Sequence, residues 1–313
     1  MKTINYNPIS LWANLFLFFI AMSGGYMAKA QQNAHSSVKK PEAITGYAPV
    51  NGLKIYYEVY GKGQPIVLLH GAYMTVHKAF DEMIAALSES RQVILAEMQG
   101  HGRTADIDRP ITYEFMADDV AALMEYLNIE KADIFGYSMG GGTALQVAIR
   151  HPEKVRKLVV ASATYQSEGM YPELLKMIST ITPEMFKDTP FKKEYDQLAP
   201  RPGDWPALVE KLKTLDETPQ NWPAESIRSI QSPTMLILGD ADVIRPEHTV
   251  EMFRLLGGGV MGDITGLPDA RLAILPGTTH TGVMEQTDWL LSMIPPFLNV
   301  PVTDKVEVSV GEK

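Results

Sequence analysis

Ser138 is the residue around which chemistry can be built. It sits at the centre of Gly136-Tyr137-Ser138-Met139-Gly140, a Gly-x-Ser-x-Gly stretch. A β-branched and aromatic run, Ala132 to Phe135, precedes it, and a helical pattern, Thr143 to Arg150, follows. That predicts a strand, a sharp turn and a helix, with the hydroxyl held out at the turn. Gly136 and Gly140 carry no Cβ to clash with so tight a bend. The helix would point its free N–H groups at the site, and the Met139 N–H could donate to a developing oxyanion.

A serine hydroxyl is a weak nucleophile at neutral pH and needs a base. A histidine can take the proton if a carboxylate orients the imidazole and stabilises its charged form. The chain has seven histidines. His35 lies in a polar leader, and His77 and His248 fall in helical patterns. His151 ends the helix after Ser138, where it suits the role of a C-terminal charge partner. His70 and His101 belong to tight turns and read as structural. His280 alone follows the last predicted strand, so it is the candidate base. Asp242 and Asp240 both follow the strand before it, and either could supply the carboxylate. No His-Glu-x-x-His or clustered Asp/His spacing suggests a metal site, and nothing points to a cofactor.

These residues must be carried to one place by the surrounding elements. Asn51-Gly52 between two strand-like runs, Tyr47 to Val50 and Leu53 to Tyr60, predicts a hairpin. Pro65 to Leu69 is a continuous apolar run, which reads as a strand buried on both faces. Helix follows from Val76 to Leu87, strand from Gln92 to Ala96, and helix from Tyr113 to Leu127, with apolar residues at helical spacing. The Ser138 strand and helix come next, then a strand from Val155 to Val160. Such alternation predicts a doubly wound, mostly parallel sheet with helices on both faces. Right-handed crossovers place all the strand C-terminal ends, and so the loops after Leu69, Ala96, Phe135 and Val160, on one side, where ligands bind in open α/β sheets.

Between residues 164 and 228 no strand pattern appears. The segment is too long for a plain loop, and Tyr171 to Ile181 and Trp205 to Leu215 look helical. It reads as a helical cap inserted over the sheet edge. The sheet resumes with Thr234 to Leu238 and Leu272 to Leu275, separated by the helical stretch His248 to Leu256 and a glycine-rich loop, Gly257 to Pro268. Thr287 to Leu298 is the final helix. The expected organisation is a core of residues 46–163 and 229–300, the cap, and a polar tail, 301–313.

The 313-residue chain is 21% charged and 45% hydrophobic, with a net charge of −9 and no cysteine. With no basic tract, nucleic-acid binding is a poor fit. Without cysteine there is no disulfide and no thiolate chemistry, so stability must come from packing. At the N-terminus, Lys2, the apolar run Leu11 to Met22 and Ala28-Lys29-Ala30 form the pattern of a signal peptide cut after Ala30. Residues 31–45 then form a flexible leader, and the mature protein is expected in the periplasm or outside the cell. The apolar run falls short of the roughly 18 residues that a spanning helix needs, so no stable membrane span is expected after cleavage.

Six stretches resemble those of the α/β-hydrolase fold, in particular its bacterial esterase and cofactor-free haloperoxidase branch. They are Leu68-Leu69-His70-Gly71, Gly100-His101-Gly102-Arg103, Gly136-Tyr137-Ser138-Met139-Gly140-Gly141, His151-Pro152-Glu153-Lys154-Val155, Leu238-Gly239-Asp240-Ala241-Asp242 and Gly277-Thr278-Thr279-His280. The resemblance covers residues 50 to 298 except the cap. It implies a Ser138, Asp242, His280 triad, in the chain order of that fold. It favours Asp242 over Asp240, because relatives place the acid three residues after the glycine. It also implies that the Ala72 N–H joins the Met139 N–H in an oxyanion hole, and that Tyr73 points into the substrate pocket. Glu97 departs from the aspartate that relatives often carry before Gly-x-Gly, at a structural position.

The activity implied is hydrolysis of a small-molecule carboxylic ester. Perhydrolase or haloperoxidase chemistry, thioester or lactone cleavage, and carbon–carbon hydrolysis use the same triad and stay open. A slow-turnover binding or sensor protein is the reading of a different class, since fold does not fix function.

Overall fold

The computed structural model describes residues 40–302. The expected signal peptide, residues 31–39 of the leader and residues 303–313 of the tail lie outside the described residues. Eight strands form one sheet: β1 Ile44–Val50, β2 Leu53–Tyr60, β3 Gln64–Leu69, β4 Arg91–Ala96, β5 Ala132–Tyr137, β6 Val155–Ala161, β7 Thr234–Ala241 and β8 Ala270–Thr279. Their order is β1-β2-β4-β3-β5-β6-β7-β8. β1 and β2 pair antiparallel, as do β2 and β4, and all the other pairs are parallel. The chain moves outward from β3 to β4 and then crosses back to β5 on the other side of β3. The switch point of the sheet therefore lies between β3 and β5, where Leu69 pairs with Gly136.

The continuous apolar runs divide by strict alternation. Val67, Leu69, Ile134, Leu158, Val160 and Leu236 pack on one face, with α2 (Tyr113–Tyr126) and α3 (Met139–Arg150). Ile66, Leu68, Phe135, Val159 and Ile237 pack on the other, with α1 (Val76–Ser88) and α10 (Thr287–Asn299). Each fully buried aliphatic side chain contributes on the order of 2 kcal/mol, and a sheet apolar on both faces suits a chain with no disulfide. Thr75 and Thr112 start α1 and α2 by accepting from the Lys78 and Phe115 N–H groups.

Between β6 and β7 run α4 (Pro172–Ile178), α5 (Pro190–Leu198), α6 (Trp205–Glu217) and α7 (Ala224–Arg228). The first three begin with proline at N1 or N2, where the missing N–H costs no bond. Phe186, Phe191, Tyr195 and Trp205 pack there around Leu208 and Leu212. Lys211 of α6 ties this segment to the loop after β4, donating to Asp106 Oδ2 at 2.6 Å and to the Ile107 and Arg109 carbonyls at 2.7 and 3.0 Å.

Several elements differ in extent from the sequence reading. β1 starts at Ile44, inside the stretch expected to be leader, because Ile44 and Thr45 pair with Val59 and Glu58. β8 continues through Pro276-Gly277 to Thr279, pairing with Ala241 after an irregularity in β7. Part of the glycine-rich loop forms α9, one turn at Gly262–Thr265, and α8 spans Pro246–Leu255. Among the described residues, no helix is long and apolar enough to cross a membrane.

Candidate active site

Strand pairing delivers the site residues side by side. Tyr137 pairs with Ala161 and Ala241 with Thr279, so Ser138, Ser162, Asp242 and His280 are each the next residue along. Ser138 has φ 54° and ψ −118°, a conformation that costs on the order of 1–3 kcal/mol in a non-glycine residue. The surrounding chain holds it there. The Ser138 N–H donates to the Ala161 carbonyl at 2.9 Å, and the Ser138 carbonyl accepts from the Gly142 N–H at 3.0 Å. A Cβ on Gly136 would lie 2.0 Å from the Gly140 oxygen, and one on Gly140 would lie 2.1 Å from the Leu69 oxygen. Both glycines are thus required by close backbone approach.

The three residues form one hydrogen-bonded row. His280 Nε2 is 3.0 Å from Ser138 Oγ, and His280 Nδ1 is 2.8 Å from Asp242 Oδ1. The Asp242 side chain is fully buried and that of His280 only 15% exposed. Burial alone would raise the Asp242 pKa. The charge and hydrogen bond of His280, the Ser162 hydroxyl and the Ile244 N–H outweigh it and hold the carboxyl below its ordinary value. Asp240 stands apart: its Oδ1 accepts from the Thr278 N–H at 3.1 Å and stays exposed.

Ser162 was not singled out by the sequence. Its hydroxyl donates to Asp242 Oδ2 at 2.6 Å, and its own φ is 53°. Nothing but a small residue at a strand end marks it in the sequence. Tyr137 adds a second support, donating from its hydroxyl to the His280 carbonyl at 3.1 Å, with its ring 5.4 Å from the imidazole.

Met139 opens α3, so its N–H has no acceptor within the helix. Ala72 lies in the loop after β3, and both residues line the same cavity as Ser138 and His280. Two buried histidines fix that loop. His70 Nδ1 donates to the Gly71 carbonyl at 2.8 Å, and its Nε2 accepts from the Met98 N–H at 3.1 Å. His101 Nδ1 donates to the Gln99 carbonyl at 2.9 Å, and its Nε2 accepts from the Tyr73 N–H at 3.2 Å. Each imidazole accepts through Nε2 and is therefore neutral. Burial is the main reason that their pKa values fall, to about 3 for His70 and about 4 for His101. Nearby, Glu97 is buried and accepts from the Arg103 N–H at 2.6 Å and from Arg103 Nη1 at 3.0 Å. His151 pairs with Asp118 at 2.7 Å, beside Arg150.

The cavity has a volume of about 160 Å³. Its upper wall comes from the segment between β6 and β7, through Leu174, Ile178, Leu212 and Leu215. Tyr73 also lines it, at φ 64°, with its ring centroid 4.6 Å from that of Phe186. Among the described residues, no group of three or more His, Cys, Asp or Glu side chains could hold a metal ion.

The fold and this arrangement define a class. The chain matches the alpha/beta hydrolase fold family over residues 64–245 and belongs to it. It is similar to serine hydrolase BPHL of Mus musculus, with 25% identity over 258 residues, covering 80% of this chain and 84% of that protein. It is also similar to 2-hydroxymuconate semialdehyde hydrolase of Pseudomonas sp. strain CF600, with 30% identity over 209 residues, covering 60% and 74% of the two chains. A solved meta-cleavage product hydrolase from Pseudomonas fluorescens IP01 superposes with a TM-score of 0.62 at 21% identity, covering 83% of this chain and 98% of that one. That last likeness concerns the fold alone. The protein is an α/β-fold hydrolase, and its relatives include non-heme haloperoxidases.

Proposed function

We propose that the protein cleaves carboxylic esters of small to medium, largely apolar substrates through a Ser138-His280-Asp242 triad and an acyl-enzyme. The observation that carries the reading is the unbroken row from Ser138 Oγ through His280 to Asp242, opening into an apolar cavity.

In this mechanism Ser138 Oγ attacks the ester carbonyl as His280 Nε2 takes its proton. Asp242 holds the imidazole with Nδ1–H facing it and stabilises the imidazolium. Negative charge develops on the carbonyl oxygen, where the Met139 and Ala72 N–H groups donate. His280 then protonates the leaving alcohol. Water, activated by the same nitrogen, attacks the acyl carbonyl, and collapse of the second tetrahedral intermediate frees the acid and restores Ser138. Residues 164–228 act as a cap, and Tyr73 contacts the acyl or alcohol chain. The N-terminal 30 residues serve as an export signal, which predicts that the mature protein begins at Gln31.

The test is hydrolysis of a p-nitrophenyl ester series, acetate to laurate, by the wild type and by Ser138→Ala. Activity that disappears in the variant supports the reading. Wild type that cleaves no ester, yet reacts with a serine-directed phosphonate, would redirect it to another bond on the same triad. Carbon–carbon hydrolysis is then the second reading, favoured by the likeness to 2-hydroxymuconate semialdehyde hydrolase. Rapid acylation with negligible turnover would instead indicate a binding or sensor protein.

A further inference from the structure

One acid in the cavity has no part in the mechanism above. Asp216 lies in the last turn of α6 and lines the same cavity as Ser138 and His280. Leu212, Leu215 and Asp216 follow the i, i+3, i+4 spacing of one helix face, and all three line the cavity. Lys211 anchors this helix one turn earlier. The Asp216 residue is half-buried and lines the cavity. Among the described residues, no lysine or arginine pairs with it, and no hydrogen bond reaches its carboxylate.

The placement is costly in three ways. A half-buried carboxylate without a partner loses part of its hydration. A negative charge in the last turn of a helix meets the negative end of the helix dipole. The neighbouring Glu217 adds like charge, and only the imidazole of His280 opposes it. Tyr73 and Tyr113, which also line the cavity, feel the Asp216 charge, and the Tyr73 hydroxyl is itself buried without a partner. Burial, with Glu217 adding to it, pushes the Asp216 carboxyl up to about 7. A solvent-facing acid at a helix end shares the helix-end cost but lines no cavity beside the tyrosines.

We propose that Asp216 is a specificity-determining residue that binds a primary ammonium group carried by the ester substrate. A cation supplies what the site lacks: opposite charge for the carboxylate, relief at the helix end, and N–H donors. A neutral hydroxyl would leave the charge uncompensated. A cavity of about 160 Å³ is close to the roughly 150 Å³ that holds benzene, so the amine-bearing part is short. The inference rests on the ester reading for the rest of the substrate.

The experiment uses methyl esters in matched sets, in which a terminal ammonium at increasing distance from the carbonyl is replaced by methyl or by hydroxyl. Hydrolysis is followed by proton release. For wild type, the best ammonium ester should exceed its methyl and hydroxyl counterparts in kcat/KM by roughly tenfold to a hundredfold, the range for a hydrogen bond to a charged group. In Asp216→Asn that preference should collapse to about parity. A wild type that favours no ammonium ester, or favours the hydroxyl member, overturns the proposal while leaving the ester reading intact. Binding of n-hexylammonium and 1-hexanol to Ser138→Ala, read by thermal shift, needs no turnover. If no ester is cleaved, stabilisation by the ammonium alone, lost when Asp216→Asn is added, upholds the site and places the failure in the ester reading. Equal effects of the two ligands overturn it.

Discussion

The Ser162 hydroxyl donates to Asp242 Oδ2 at 2.6 Å, on the side of the carboxylate away from His280. The bond ties the end of β6 to the end of β7 and completes the donors around a fully buried acid. Without it, one oxygen would be left short of a partner, at a cost of about 1–3 kcal/mol.

Ser162→Ala should therefore lower kcat roughly tenfold with little change in KM, because the loss falls on the orientation of His280 and not on substrate contacts. Steady-state kinetics on a good ester decides it. An unchanged kcat would mean that His280 and Ile244 hold Asp242 without help.

Gly140→Ala should be severely destabilising, by more than about 3 kcal/mol, since the new Cβ meets the backbone of β3, which cannot retreat. Gly203→Ala is the control: no atom lies within 4 Å of the place its new methyl group would take, and the change should stay within about 1 kcal/mol. Urea denaturation of the two variants should separate them clearly. Equal midpoints would show that the turn around Ser138 relaxes freely.

The neutral histidines beneath the Ala72 loop make stability depend on pH. Their folded pKa values, about 3 for His70 and about 4 for His101, lie below the ordinary 6.5. As pH falls from 6.5 toward 4, the unfolded chain takes up protons that the folded chain refuses, so stability drops with falling pH. At about pH 5 the loss is on the order of 2 kcal/mol for each histidine. The buried Glu97 carboxyl and the Asp216 carboxyl, both raised to about 7, act in the opposite sense over this range, so the histidine contribution is read as a difference: between about pH 7.5 and pH 5, His101→Asn should lose on the order of 2 kcal/mol less stability than wild type in denaturation. A variant with the wild-type slope would place the acid sensitivity elsewhere.

Lys211→Met should loosen α6 above the cavity, since three acceptors on the loop after β4 lose their donor. The expected result is a roughly tenfold fall in kcat/KM for short esters and a weaker dependence on chain length. Retained chain-length selectivity would mean that the aromatic packing around Trp205 positions the segment by itself.

How much of this was legible in the sequence depends on the range of the interaction. Pro65 to Leu69 announces a strand buried on both faces, and Ile66, Val67, Leu68 and Leu69 do divide between the two cores. Strand order follows from such runs. The spacing around Ser138 and the place of His280 after the last strand marked two side chains, position left Asp240 and Asp242 open, and the resemblance to the α/β-hydrolase fold chose Asp242; the fold sets Ser138, His280 and Asp242 in one row. Ser162 escaped notice because its only mark is a contact with a residue 80 positions away. Asp216 escaped because Asp216-Glu217 at the end of an amphipathic helix reads as solvent-facing charge. The true end of β8 was hidden by Pro276-Gly277, which looks like a turn until its pairing with β7 is seen.

The central claim is that Ser138 becomes acylated with His280 as its base. The most direct measurement is peptide mass spectrometry after rapid acid quench of the enzyme with a p-nitrophenyl ester, in wild type and in His280→Ala. The account predicts the acyl mass on the peptide containing Ser138 in wild type, and none on the same timescale without His280. Turnover with no acyl group on Ser138, or an acyl group on another residue, would contradict it.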